Sequence, residues 1–150
     1  MTLQSQLDDA QARLQQGNFN DAIKIYTEIL GSNRAQPDAL YMLGAVAFKL
    51  GQIPQALEFA TALTANAPRD ARGWMLKGLA LRAQRRINEA LAAARMALSI
   101  DDSLAEAWEC AGMVLMQQGQ WHEAHEHFER ALTRLPDSAI LRGCYAMALA

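Results

Sequence analysis

The chain has 150 residues and carries 14 Lys and Arg against 16 Asp and Glu, a formal net charge of −2. With no basic stripe, this balance argues against a nucleic-acid footprint. No apolar run approaches the roughly 20 residues that cross a bilayer, so membrane insertion is not expected. The first residues, Met1 to Ala10, lack the basic and apolar regions of a secretory signal. The expectation is a soluble, cytoplasmic chain whose length fits a single domain, 1–150.

Taken in order, the apolar residues repeat with a helical period. Leu3, Leu7, Ala10 and Leu14 form the first stripe. Gly17 follows it, and Asn20 is positioned to open a second helix burying Ala22, Tyr26 and Ile29. Leu40, Leu43, Gly44 and Ala47 make the third, which Gly51 closes in a left-handed cap. Pro54 suits the first turn of the fourth, and Pro68 stops it. Trp74 and Gly78 mark the fifth, and Asn88 with Ala90, Ala94 and Ala97 the sixth. Trp108, Ala111, Gly112 and Leu115 form the seventh, closed by Gly119. The eighth reads Ala124, Phe128 and Ala131 and stops at Pro136. From Ala139 a last apolar helix begins (Ile140, Leu141, Tyr145, Met147, Leu149), without the polar outer face of a terminal cap.

These stripes share one register. Ala22, Ala56, Ala90 and Ala124 are spaced 34 residues apart, as are Gly44, Gly78 and Gly112. Gly17, Gly51 and Gly119 share a column that Arg85 completes. Phe19, Ile53, Ile87 and Trp121 occupy another, and Leu40, Trp74 and Trp108 a third. A fixed period of this length predicts one helix-pair unit, copied and stacked. The units are 3–36, 37–70, 71–104 and 105–138, with a partial unit at 139–150. Glycine inside a helix costs about 1 kcal/mol against alanine; at Gly44, Gly78 and Gly112 the expected return is close approach of the paired helix. Trp74, Trp108 and Trp121, standing in repeat columns, are expected in the core.

Trp108, Ala111, Gly112, Leu115, Ala124, Phe128, Ala131 and Pro136 together resemble the pattern of the tetratricopeptide repeat family. The resemblance implies an all-α fold, a right-handed α-solenoid of stacked antiparallel helix pairs. It also implies a concave face lined by the first helix of each unit. On the helical wheel that face takes Leu7, Gln11 and Leu14 from the first unit and Tyr41, Ala45, Phe48 and Lys49 from the second. The third gives Arg72, Met75, Leu79 and Arg82. The fourth gives Glu106, Glu109, Met113, Met116 and Gln117, and the partial unit Met147. Four of the seven methionines fall there, and methionine suits surfaces that accept varied partners. The expected ligand is a protein or peptide with an apolar segment, anchored by Tyr41 and Phe48 and oriented by the arginines and glutamates. A carboxylate clamp for acidic chaperone tails is not expected: its columns hold Leu7, Gln11, Met42, Arg72 and Leu76, and only Arg72 fits.

No catalytic constellation emerges, and no cofactor or metal is expected. His122 and His125 share a helical face, but the segment His-Glu-Ala-His lacks the zinc-protease spacing and is expected to be a solvated surface. Cys110 and Cys144, one unit apart, should lie about a helix diameter, ~10 Å, from each other. That exceeds disulfide reach, so two free thiols are expected. The functional expectation is a non-catalytic scaffold: an adaptor, assembly factor or co-chaperone. The alternatives are the N-terminal arm of a larger enzyme such as a bacterial transferase, and a secretion-type chaperone for an apolar client. Self-association through the last helix is a further expectation.

Overall fold

The computed structural model describes residues 2–149. Among them are nine helices and no strand: α1 Leu3–Gln15, α2 Phe19–Ser32, α3 Pro37–Lys49, α4 Ile53–Asn66, α5 Ala71–Ala83, α6 Ile87–Ile100, α7 Ala105–Gln117, α8 Trp121–Arg134 and α9 Ala139–Leu149. Each predicted unit contains one pair, with 13 residues in the first helix and 14 in the second. Ala150, part of the last predicted helix, lies outside the described residues. The helices group into two compact units, α1–α4 up to Pro68 and α5–α9 from Arg69.

The turn inside every pair has one construction. Gly17, Gly51 and Gly119 have φ of +80°, +77° and +77°, and Arg85 takes φ +62° in the same column. After α1, Gly17 N–H donates to Leu14 O at 3.1 Å and Asn18 N–H to Arg13 O at 2.8 Å. The same two bonds recur after α3, α5 and α7, satisfying the last carbonyls in a Schellman motif. The residue that completes this motif also precedes the second helix. Asn18, Gln52, Arg86 and Gln120 therefore occupy the N-cap positions, with no side-chain cap. This corrects the expectation for Asn20 and Asn88, which fall inside the first turn because the link is too short to hold a separate cap. Pro54 sits in the first turn of α4 as expected.

The second helices bury their predicted columns. Ala22, Ala56, Ala90 and Ala124 are fully buried, as are Ala60, Ala94 and Phe128, with Tyr26 nearly so. Glycine in the facing helix serves two partners differently. A Cβ on Gly78 would stand 3.3 Å from Ala90 O and 3.4 Å from Ala94 N, so two backbones approach there. A Cβ on Gly112 would stand 2.8 Å from Phe128 Cε1, so this glycine leaves room for a ring.

The tryptophans depart from expectation. Trp121 is 50% exposed and Trp74 and Trp108 are half-buried. Polar groups lie against the Trp74 and Trp108 rings. Lys77 Nζ lies 5.3 Å from the Trp74 ring centre and the Arg130 guanidinium 5.1 Å from that of Trp108. Trp108 Nε1–H donates to Asp102 O at 2.7 Å.

Candidate functional site

In the first unit, Ala10, Ala22, Tyr26, Ile29, Ala39 and Leu43 form one core cluster, and Leu7 and Leu14 pack against it half-buried. Their apolar area is thus partly used inside the fold. Beside this core, α1, α2 and α3 flank an open cavity of about 870 Å³. Of the predicted residues, Gln11, Leu14, Ala45 and Lys49 line it. Leu7 and the two predicted anchors, Tyr41 and Phe48, do not, although both aromatics are only half-buried on α3. The other walls are Phe19, Ile23, Met42, Val46 and Leu50, with Gln15, Asn18, Asn20 and Asp21. Phe19 and Leu50 are 55% and 64% exposed. The sequence reading missed these residues because its concave face took only selected columns of the first helices and nothing from α2 or the turns. An aromatic beside the uncapped start of α2 was the available signal.

In the second unit the first helices lie side by side, α5 against α7 and α7 against α9. Met113 and Met116 on α7 and Leu79 on α5 are half-buried, and Met147 on α9 is exposed. Met75 is a correction: it is 5% exposed and belongs to the core. Helix α5 is packed by both α6 and α7, so its buried arc extends past the predicted stripe. Arg72 is held by its own helix start. Its Nε and Nη2 donate to Asp70 at 3.0 and 2.7 Å, while Asp70 Oδ1 accepts Arg72 N–H at 3.1 Å as the cap of α5. The Arg72 hydrogen bonds hold the Asp70 carboxyl below its ordinary range against the opposing effect of burial.

Arg82 is half-buried, and its Nε is buried without a hydrogen-bond partner among the described residues. Its guanidinium lies close to Glu109 and Cys110. Burial raises Glu109, with Arg82 opposing and Glu106 adding to the rise. Glu106 and Gln117 are exposed. Burial also pushes the Cys110 thiol up to about 11, opposed by Arg82, and raises Cys144. Both cysteines are free and buried, so they are poor nucleophiles.

The three histidines have separate environments, and in the segment from His122 to His125, expected to be solvated, only His122 is an exposed histidine. Its Nε2 is 3.5 Å from Glu126 Oε1. His125 is half-buried with its ring centre 4.0 Å from that of Tyr145 and its Nδ1 buried without a hydrogen-bond partner among the described residues. His127 Nδ1 is 2.8 Å from Glu123 O, its ring edge-on to Trp108. Among the described residues no group of three His, Cys, Asp or Glu side chains is placed to hold a metal, and no helix is long and apolar enough to cross a membrane.

The tetratricopeptide repeat family description matches residues 13–80 and again 105–138. Over 137 residues the chain is 28% identical to protein O-mannosyl-transferase TMTC1 of Mus musculus, covering 89% of this chain and 14% of that protein. The chain thus spans about a seventh of that relative's length. Among solved structures, TTC0263, a thermophilic TPR protein of Thermus thermophilus, superposes with a TM-score of 0.78 at 25% identity, over 97% of this chain and 80% of that one. The TPR2B domain in the pHsp70 complex of yeast Sti1 shares the fold with a TM-score of 0.68 at 23% identity, over 75% and 94% of the two chains. The 34-residue register, the paired helices and both family matches lead to one conclusion: this chain belongs to the tetratricopeptide repeat family.

Proposed function

We propose that the chain is a non-catalytic protein-interaction scaffold in which the first-helix face of each unit, taken by itself, holds an apolar segment of a partner protein. The observation that carries this reading is the set of incompletely buried apolar side chains on those helices. Tyr41, Ala45 and Phe48 stand on α3, Leu79 on α5, Met113 and Met116 on α7 and Met147 on α9. Apolar area left uncovered on a folded protein is a resource for association, and flexible thioethers adapt to more than one partner. The fold supports the general role, since such repeats present surfaces rather than enclosed reaction chambers. The roles of adaptor, assembly factor and co-chaperone all use this surface.

The test is capture of partners by immobilised protein, read by mass spectrometry, using two surface variants. One carries Tyr41→Ser with Phe48→Ser, the other Met113→Ser with Met116→Ser. Loss of a reproducible partner with unchanged helicity supports the reading. Full capture by both variants refutes it.

A second reading has its own observation. TMTC1 is named a transferase, and this chain matches only a small share of it, so the repeats also fit a recognition arm within a larger protein. Self-association through α9 is favoured by Ile140 and Leu149, 70% and 64% exposed. Sedimentation of the wild type against Ile140→Ser with Leu149→Ser decides it.

A further inference from the structure

The cavity of the first unit has a cause visible in the repeat columns. Adding two periods to its lining positions pairs Gln11 with Leu79, Leu14 with Arg82, Ile23 with Leu91, Met42 with Cys110, Ala45 with Met113 and Val46 with Val114. In the second unit Leu91, Cys110 and Val114 are buried, and the Nε of Arg82 is buried beside them. In the first unit Ile23, Met42 and Val46 are only half-buried around the open volume. The first unit has a methyl at Ala45 where the second has a methionine side chain, and the shorter Leu14 where the second has an arginine. Met42 is larger than its counterpart Cys110, but the smaller Ala45 and Leu14 outweigh it, so the seam is under-filled at the surface.

Its size and chemistry indicate an occupant. At about 870 Å³ the opening exceeds one aromatic side chain and falls in the range of ~300–1,000 Å³ typical of small-ligand sites. Leu14, Phe19, Ile23, Met42 and Val46 supply apolar wall. Of the two charged residues on the lining, Asp21 is already paired, with Arg13 Nη1 at 3.0 Å. Lys49, in the last turn of α3, makes no ion pair among the described residues and is exposed. The available charge on the rim is therefore positive.

We infer that this cavity receives an aromatic side chain of a partner peptide and that Lys49 pairs with a carboxylate of the same peptide within a few residues of the ring. The inference rests on the scaffold reading above and narrows it to one pocket and one peptide chemistry. The thioether of Met42 suits an aromatic face, and the Lys49 ammonium, a point charge on a flexible stem, tolerates an acid on either side of the anchor.

The probes are two fluorescein-labelled glycine–serine peptides with a central phenylalanine. One carries aspartate two residues to each side, the other lysine. Polarisation with the full chain should show the acidic probe binding at least fivefold more tightly, with amide NMR shifts at the end of α1, the start of α2 and the second half of α3. Ala45→Met, which fills the seam as in the second unit, should weaken the acidic probe at least tenfold at unchanged helicity. Lys49→Glu, on an exposed site that leaves folding undisturbed, should abolish or reverse the charge preference. No saturable binding of the acidic probe at millimolar concentration, wild-type affinity for folded Ala45→Met, or a charge preference that survives Lys49→Glu overturns the inference. If Ala45→Met captures partners fully while the Met113 and Met116 variant does not, the pocket fails and the scaffold reading stands. If Ala45→Met, the Tyr41 and Phe48 variant and the Met113 and Met116 variant all capture partners fully, the scaffold reading also fails.

Discussion

Replacing Gly112 by alanine sets two opposed contributions against each other. A methyl in a helix interior gains about 1 kcal/mol over glycine. Built on α7, it would stand 2.8 Å from Phe128 Cε1, 3.0 Å from Cδ1 and 3.1 Å from Cζ. All three distances lie inside the carbon–carbon optimum of about 3.5–4.0 Å. Phe128 is fully buried, so the ring moves only if α7 and α8 spread. Overpacking of this kind costs about 1–3 kcal/mol, leaving a net destabilisation of up to about 2 kcal/mol after the helix gain. The decisive quantity is the coupling. Phe128→Ala alone should cost about 3–5 kcal/mol. With the ring gone, Gly112→Ala should instead stabilise by about 1 kcal/mol. Urea unfolding of the four proteins by circular dichroism, compared at matched m-values, gives the cycle. Equal effects of Gly112→Ala in the two backgrounds would refute the reasoning.

Arg85 is the one non-glycine residue with positive φ among those described. Arg85→Gly should relieve about 1 kcal/mol of left-handed strain and raise the thermal midpoint by roughly 2–4 °C; an unchanged or lower midpoint contradicts this. Asp70→Ala removes the cap of α5 and leaves Arg72 without this partner, for a loss of about 1 kcal/mol, while Asp70→Asn, which keeps an acceptor, should lose less. Because the Asp70 carboxyl is depressed in the folded chain, its contribution is present above the ordinary carboxylate range and fades as pH falls through the folded value, an effect that Asp70→Asn removes from the acid limb of the melting profile. Cys110 has the opposite sign: its thiol titrates near 11 against an ordinary 9.0, so the unfolded chain loses the proton first. The associated stability is complete below about pH 9 and disappears toward pH 11. Cys110→Ala should flatten the alkaline limb of a denaturation series, and iodoacetamide labelling of Cys110 should track unfolding.

The fold was legible because a period is a global constraint. One register placed the helices of each pair, while Arg85, read in the sequence only as standing in the glycine column, takes the glycine's turn in the structure. What the register lacks is the number of neighbours around each helix. Met75 and Tyr41 occupy one column, yet Met75 is buried and Tyr41 only half-buried. A helical wheel predicts direction, while burial depends on what else packs there. The cap at Asn20 was misread for a local reason, since a turn that ends one helix and begins the next in the same residues leaves no room for a separate N-cap. The cavity was hidden for a third. It arises from a volume difference between equivalent positions, Ala45 and Met113, and becomes visible only when columns are compared for size as well as polarity.

The unlike partners of Gly78 and Gly112 limit how this chain can be recombined. Helices occupying equivalent places look interchangeable, yet α8 could not be grafted opposite α5, where Phe128 would arrive in the column of Ala94 beside a glycine already closely approached by the backbone of the facing helix. The reverse graft, α6 opposite α7, would leave a void the size of a benzene ring. Any viable shuffling, by genetic exchange or at the bench, must therefore move both arms of a hairpin together, with cut points between hairpins and never at their inner turns.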